Sequence, residues 1–85
     1  MQEKPPLTAS QRRILAFFQE QPQAVETARG IATWLNSPSQ EVEKALDELV
    51  DRKWLLAHRA PMVVGYALTQ DEHRLVEIQE ALKTS

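Results

Sequence analysis

Apolar residues recur along this chain in short bursts whose spacing changes twice. Between Ala9 and Glu20 they are Ile14, Leu15, Phe17 and Phe18, set among the polar Arg12, Arg13, Gln19 and Glu20. That spacing predicts one buried stripe of an amphipathic helix. Ile31, Ala32, Trp34 and Leu35 make a second, shorter stripe, ending near Asn36. The third stripe is the most regular. Val42, Ala45, Leu46, Leu49 and Val50 fall at i, i+3, i+4, i+7 and i+8, which predicts a helix running to about Arg52. Its opposite face carries Gln40, Glu43, Lys44, Asp47 and Asp51. After Lys53 the helical period stops. "WLLAHRA" and "VVGYALT" are rich in strand formers and flank Pro61 and Met62, the pattern of a β-hairpin. Helical spacing returns with Leu75, Val76, Ile78 and Leu82, predicting a last helix over 70–83.

The residues between the stripes agree with these boundaries. Pro5 and Pro6 disfavour helix, so residues 1–6 read as a flexible leader. "TASQ" is a capping box: the Thr8 hydroxyl can accept from the Gln11 amide while the Gln11 side chain reaches back. Pro22 ends the first helix, and "QAVETA" reads as a brief edge strand. Thr27 can cap the second helix. Gly30 inside that helix costs about 1 kcal/mol relative to Ala, which points to close packing by a neighbouring backbone. Ser37 as N-cap with Pro38 at the first helical position predicts the start of the third helix. "TQDE" predicts another capping box, Thr69 with Glu72. No internal repeat or linker interrupts the series.

Composition narrows the chemistry. The 85 residues hold 42% hydrophobic and 26% charged positions, as expected of one small globular domain. No cysteine is present, which excludes disulfides and thiolate metal sites. His58 and His73 lie on different elements, and Gly30 and Gly65 are the only glycines. Neither a metal site nor a phosphate-binding glycine loop is indicated, and no cofactor or catalytic constellation is expected. No apolar run approaches the ~20 residues that span a bilayer, and no signal peptide is visible, so a cytoplasmic, non-membrane protein is expected. The net charge is −2. By segment it is +1 over 1–36, −2 over 37–54, +1 over 55–69 and −2 over 70–85. No segment is a basic patch of the kind that usually supplies affinity for nucleic acid.

The order helix, short strand, helix, tight turn, helix, hairpin, helix resembles a winged helix-turn-helix domain. The resemblance covers about residues 7–69. It rests on "ARGIATWLN", similar to the first helix of the turn motif, on "SPSQEVEKALDELVDRKWL", similar to the recognition helix and its exit, and on "LLAHRAPMVVGYALT", similar to the wing. "YALTQDE" resembles the run from wing to final helix in small bacterial transcriptional regulators of the multiple-antibiotic-resistance type. The implied fold is α+β: a three-helix core, a hairpin wing and an extra C-terminal helix within a domain spanning 7–85. The implied function is DNA-binding transcriptional regulation, with double-stranded DNA as partner.

The resemblance also implies contacts. The recognition helix would bring Ser39, Gln40, Glu43 and Lys44 to base edges: Gln40 suits adenine, Lys44 guanine or a phosphate, Glu43 a cytosine amine. Asp47 would repel phosphates. Arg12, Arg13, Arg29 and Arg59 are the candidates for phosphate contact. Leu75, Ile78 and Leu82 form a stripe that either packs on the chain's own first helix or pairs with a second copy, and a homodimer is the reading preferred. Trp34 and Trp54 are expected in or beside the core. The alternative function is a protein-interaction module of the same fold that does not bind DNA. Its contact surface would be the acidic third helix and the apolar wing tip around Met62 and Val63, which suit a protein partner.

Overall fold

The computed structural model describes residues 6–84, and the expected leader lies outside them save for Pro6. The elements are α1 (Ala9–Glu20), β1 (Val25–Thr27), α2 (Ala28–Leu35), α3 (Ser39–Asp51), β2 (Leu55–Arg59), β3 (Val64–Leu68) and α4 (Glu72–Thr84). This is the expected α+β order.

Both predicted caps of the first two helices form. The Gln11 amide donates to the Thr8 hydroxyl at 3.1 Å, and the Thr8 amide donates to the Gln11 side-chain oxygen at 2.9 Å. The Gly30 amide donates to the Thr27 hydroxyl at 3.0 Å. The other two starts differ from expectation. α3 has Pro38, not Ser37, as its N-cap, with no side-chain cap bond. The reason is the tightness of the turn. Asn36 takes a left-handed conformation (φ 54°), and the Ser37 amide folds back to the Ala32 carbonyl at 3.0 Å, so Ser37 closes α2 instead of opening α3. At α4 the cap is Asp71. Its carboxylate accepts from the His73 and Arg74 amides at 2.9 and 3.4 Å. The Thr69 hydroxyl accepts from the Asp71 amide, and the Thr69 amide donates to the Trp54 carbonyl, which ties it to the end of the sheet.

Three helices pack around one core, and the sheet closes it. Ile14, Leu15 and Phe18 of α1, Ile31 of α2, and Val42, Leu46 and Leu49 of α3 are fully buried. Each such aliphatic or aromatic side chain contributes about 1.5–3 kcal/mol by leaving water. The sheet is antiparallel in the order β1-β3-β2. The register pairs Glu26 and Ala57 with Tyr66, and Val25 and Leu56 with Ala67. Alternation therefore sends Tyr66 and Leu68 inward and leaves Val25 and Leu56 on the outer face. The hairpin turns at Ala60–Val63, closed by the Ala60 amide on the Val63 carbonyl at 2.9 Å.

The junction from α3 to the wing is fixed by a six-residue closing motif. The Lys53 amide donates to the Val50 carbonyl at 2.9 Å and the Trp54 amide to the Leu49 carbonyl at 3.1 Å, with Lys53 left-handed at φ 65°. Trp54 is thereby delivered into the core, as expected, and its indole N–H donates to Glu77 of α4 at 3.1 Å. Trp34 lies beside the core, against the buried Phe17, and not in it: it is 64% exposed. Gly30 is also approached differently than expected. A β-carbon there would meet the Glu26 carboxylate oxygen at 2.6 Å, a side chain and not a backbone.

Candidate nucleic-acid interface

α3 meets its surroundings along three faces. Its apolar face fills the core. A second face looks at α1. There the Ser10 hydroxyl donates to Glu41 at 3.2 Å, and the Gln11 side-chain amide donates to Glu48 at 2.8 Å. Two of the five carboxylates of this helix therefore brace α1 against it. The third face is open: Ser39, Gln40, Glu43, Lys44 and Asp47 are all exposed.

Two concavities flank this open face. One, of about 540 Å³, lies at the helix-turn-helix junction and is lined by Arg29, Thr33, Asn36, Ser37, Pro38 and Ser39. The N-terminus of α3 opens beside it. Because α3 lacks a side-chain cap, its first amide N–H groups have no side-chain acceptor. The other, of about 510 Å³, runs between α3 and the wing, with Arg29, Glu43, Asp47, Met62, Val63 and Tyr66 among its walls. Arg29 belongs to both. Burial pushes the Tyr66 hydroxyl pKa above its ordinary value; the nearby Asp47 and Glu43 charges add to this, and Arg59 works against it.

The arginines divide. Arg29 and Arg59 are exposed on the side of α3 and the wing. Arg12 and Arg13, also expected at phosphates, meet backbone carbonyls within the chain. Arg12 donates to the Leu82 carbonyl near the end of α4 at 3.4 Å. Arg13 donates to the Leu35 carbonyl and, at 2.9 Å, to the Ser37 hydroxyl. Both guanidinium groups sit at the negative ends of helices, where a cation is favoured. Periodicity does not reveal this, because the carbonyls are brought to α1 only by tertiary packing.

The stripe expected to face a second copy is largely internal. Ile78 is 1% exposed within the single chain, while Leu75 and Leu82 are half-buried beside it. The wing tip is the opposite case, with Met62 94% exposed. Among the described residues no group of three or more His, Asp or Glu side chains stands where it could hold a metal ion, and no helix is long and apolar enough to cross a membrane.

No family model and no curated protein matches the chain. Solved structures do. A mutant of Lactococcus lactis ZitR in apo form is 30% identical and superposes with a TM-score of 0.69 over 91% of this chain and 57% of its own. A ZitR mutant solved in complex with DNA is 26% identical, with a TM-score of 0.67 over 96% of this chain and 56% of its own. The adhesin competence repressor AdcR from Streptococcus pyogenes, 24% identical, shares the fold, with a TM-score of 0.65 over 87% of this chain and 56% of its own. The chain thus spans a little over half the length of these proteins. Four helices and a three-stranded antiparallel sheet superpose on these proteins over most of this chain, and the chain is a winged helix-turn-helix domain similar to bacterial regulators of that fold.

Proposed function

We propose that this domain binds double-stranded DNA as part of a transcriptional regulator, working in the cytoplasm and carrying out no catalysis. The observation that carries the reading is the open face of α3. Ser39, Gln40, Glu43 and Lys44 stand exposed there between Arg29 on one side and the wing on the other. Its likeness to ZitR, one form of which was solved with DNA, supports the same reading.

In this reading α3 enters the major groove by its N-terminal half. Gln40 pairs with adenine, Lys44 reaches guanine or a phosphate, and Glu43 accepts from a cytosine amine. The uncapped N-terminus of α3, beside Arg29, receives a backbone phosphate through free N–H groups. Arg59 holds a phosphate beside the wing. Arg13 acts one step back: by closing the end of α2 it sets the angle at which α3 leaves the turn. Leu75 and Leu82, with the exposed Val76, supply the edge of a contact with a second copy, so that two domains read two half-sites.

Fluorescence anisotropy with random duplex DNA tests this. Three phosphate contacts imply that affinity falls about 40-fold between ~50 and ~200 mM salt. Glu43 and Asp47 keep the absolute affinity low, so the titration must extend to tens of micromolar protein. No binding at the lower salt in that range refutes the DNA reading.

A further inference from the structure

α2 places a tryptophan in water and seats it against a ring of α1. Trp34 is 64% exposed, yet its ring centroid lies 5.5 Å from that of Phe17, with the planes tilted by 57°. Phe17 is 9% exposed and meets Phe18 edge-on at 5.1 Å. One side of the indole is seated on α1, and the other is presented to solvent. An aromatic ring already fixed in position loses little freedom on contact, which is why such rings serve as anchors of protein interfaces.

Two carboxylates, Glu20 and Glu26, lie on the elements around it, and the cation Arg13 is engaged at the end of α2. Glu20 ends α1, one turn beyond Phe17, and no basic residue occupies that last turn. A carboxylate there faces the negative end of the helix macrodipole, a placement unfavourable for the isolated helix. Glu26 reaches over Gly30, one turn before Trp34 along α2: its Oε1 is 2.6 Å from where a β-carbon on Gly30 would stand. Neither Glu20 nor Glu26 has an ion-pair partner among the described residues. The Arg13 guanidinium is turned to the Leu35 carbonyl and the Ser37 hydroxyl. An exposed indole face and two unpaired carboxylates are complementary to one kind of group, a cation on an apolar stem.

We propose that the surface formed by Phe17, Glu20, Glu26 and Trp34 docks a protein segment bearing an arginine or lysine, its cation stacked on the free face of Trp34 and paired with the carboxylates. The surface is separate from the α3 face. Around the axis of α2, Trp34 is turned by about 100° from Thr33 and about 140° from Arg29, which line the concavity at the start of α3. Both surfaces can be occupied at once, and this proposal stands whether or not the other face binds DNA.

The test titrates the full 85-residue chain, ¹⁵N-labelled, with a capped nonapeptide carrying arginines and leucines, and with its counterpart in which glutamates replace the arginines. The arginine peptide is expected to shift the Trp34 indole N–H and the amides at the end of α1 in a saturable, salt-sensitive manner. The indole of the buried Trp54 stays in place. Trp34→Leu keeps Phe17 covered while removing the indole, and is expected to weaken binding about fivefold or more. The double change Glu20→Gln with Glu26→Gln is expected to weaken it as well and to abolish the salt sensitivity. Equal binding of the glutamate peptide, unchanged affinity of Trp34→Leu, or shifts confined to α3 near Glu43 and Asp47 would each overturn the proposal. So would concentration-dependent self-association that Trp34→Leu removes, which would make a second copy the occupant.

Discussion

Gln11 performs two tasks at once, and a single substitution separates them. Its side-chain oxygen accepts from the Thr8 amide at 2.9 Å, and its side-chain nitrogen donates to Glu48 of α3 at 2.8 Å. The residue is 4% exposed, so water cannot readily replace either bond. Gln11→Glu preserves the capping box, because glutamate is equally suited to the reach back. It removes the donor to Glu48 and sets two carboxylates in contact. Loss of a hydrogen bond to a charged acceptor costs about 1.5–3 kcal/mol. Two like charges ~4 Å apart repel by about 4 kcal/mol at an effective dielectric of 20. The repulsion is capped, because one carboxylate can take up a proton and Glu48 is only half-buried. A net loss of about 2–4 kcal/mol at pH 7 is therefore expected, a large part of the 5–15 kcal/mol typical of a small domain. Urea unfolding followed by circular dichroism measures it.

The pH dependence carries a definite sign. In the variant the carboxylate pair has its folded-state affinity for protons raised above the unfolded value. The variant's deficit is thus full at neutral pH and shrinks as pH falls toward ~4. Reversing the pair, with Gln11→Glu and Glu48→Gln together, restores a donor and an acceptor and should recover most of the loss. A Gln11→Glu variant within about 0.5 kcal/mol of the parent at pH 7, or a reversed pair no more stable than the single change, would refute the α1–α3 coupling.

Four further outcomes are expected. Lys53→Gly relieves the left-handed backbone at φ 65° and should stabilise by about 0.5–1 kcal/mol in urea unfolding; a loss would mean that the Lys53 side chain contributes more than its strain costs. Gly30→Ala gains about 1 kcal/mol of helix propensity, but its β-carbon displaces the end of Glu26 and crowds the Thr27 cap hydroxyl at 3.3 Å, so the two effects offset and the melting temperature should change little. Met62→Arg adds a cation at the exposed wing tip; under the DNA reading it should tighten duplex binding and steepen the salt slope by about 1, with stability unchanged. Tyr66→Phe concerns alkaline pH. Because the folded-state pKa is raised above 10.0, the protonated hydroxyl's stabilisation is present below that value and lost as pH rises through the folded one. The phenylalanine variant should therefore lose less stability than the parent in that range.

What could be read along the chain was whatever depends on spacing within one element. The stripes of α1, α2 and α3, the change of period at Lys53, and the Thr8 and Thr27 caps are local, and they appear where expected. Cap choice failed where two elements compete for one residue. Ser37 satisfies the start signals for α3, but the tight turn gives its amide to α2 and its hydroxyl to Arg13. Thr69 satisfies those for α4, but the sheet holds it and Asp71 takes the cap. Trp34 was expected near the core on hydrophobicity alone. Only the packing of α1 on α2 shows that its ring lies against Phe17 while, among the described residues, most of it stays open to solvent. Of the candidate contacts, the exposure of Ser39, Gln40, Glu43 and Lys44 followed from helical phase. The fate of Arg12 and Arg13 did not, because it depends on where the ends of other helices arrive.

The acidity of α3 takes on a different meaning once its faces are assigned. Glu41 and Glu48 point toward α1 and hold it through Ser10 and Gln11, so they say nothing against DNA. Asp51 ends the helix, beyond the half that a groove would admit. What remains is Glu43 and Asp47, and both border the groove under the wing, close enough to raise the Tyr66 pKa. Their cost falls on phosphate approach from the wing side. Arg29 lies on that same groove and on the concavity at the start of α3, which leaves the N-terminal side of the helix the more favourable for a phosphate. Two carboxylates beside a reading helix lower affinity for every sequence alike through repulsion. A cytosine amine placed against Glu43 offsets part of that loss at one kind of base pair. Under the DNA reading, acidity on this face therefore favours discrimination over tightness, and a domain built so would need a second copy or a second contact to hold DNA firmly.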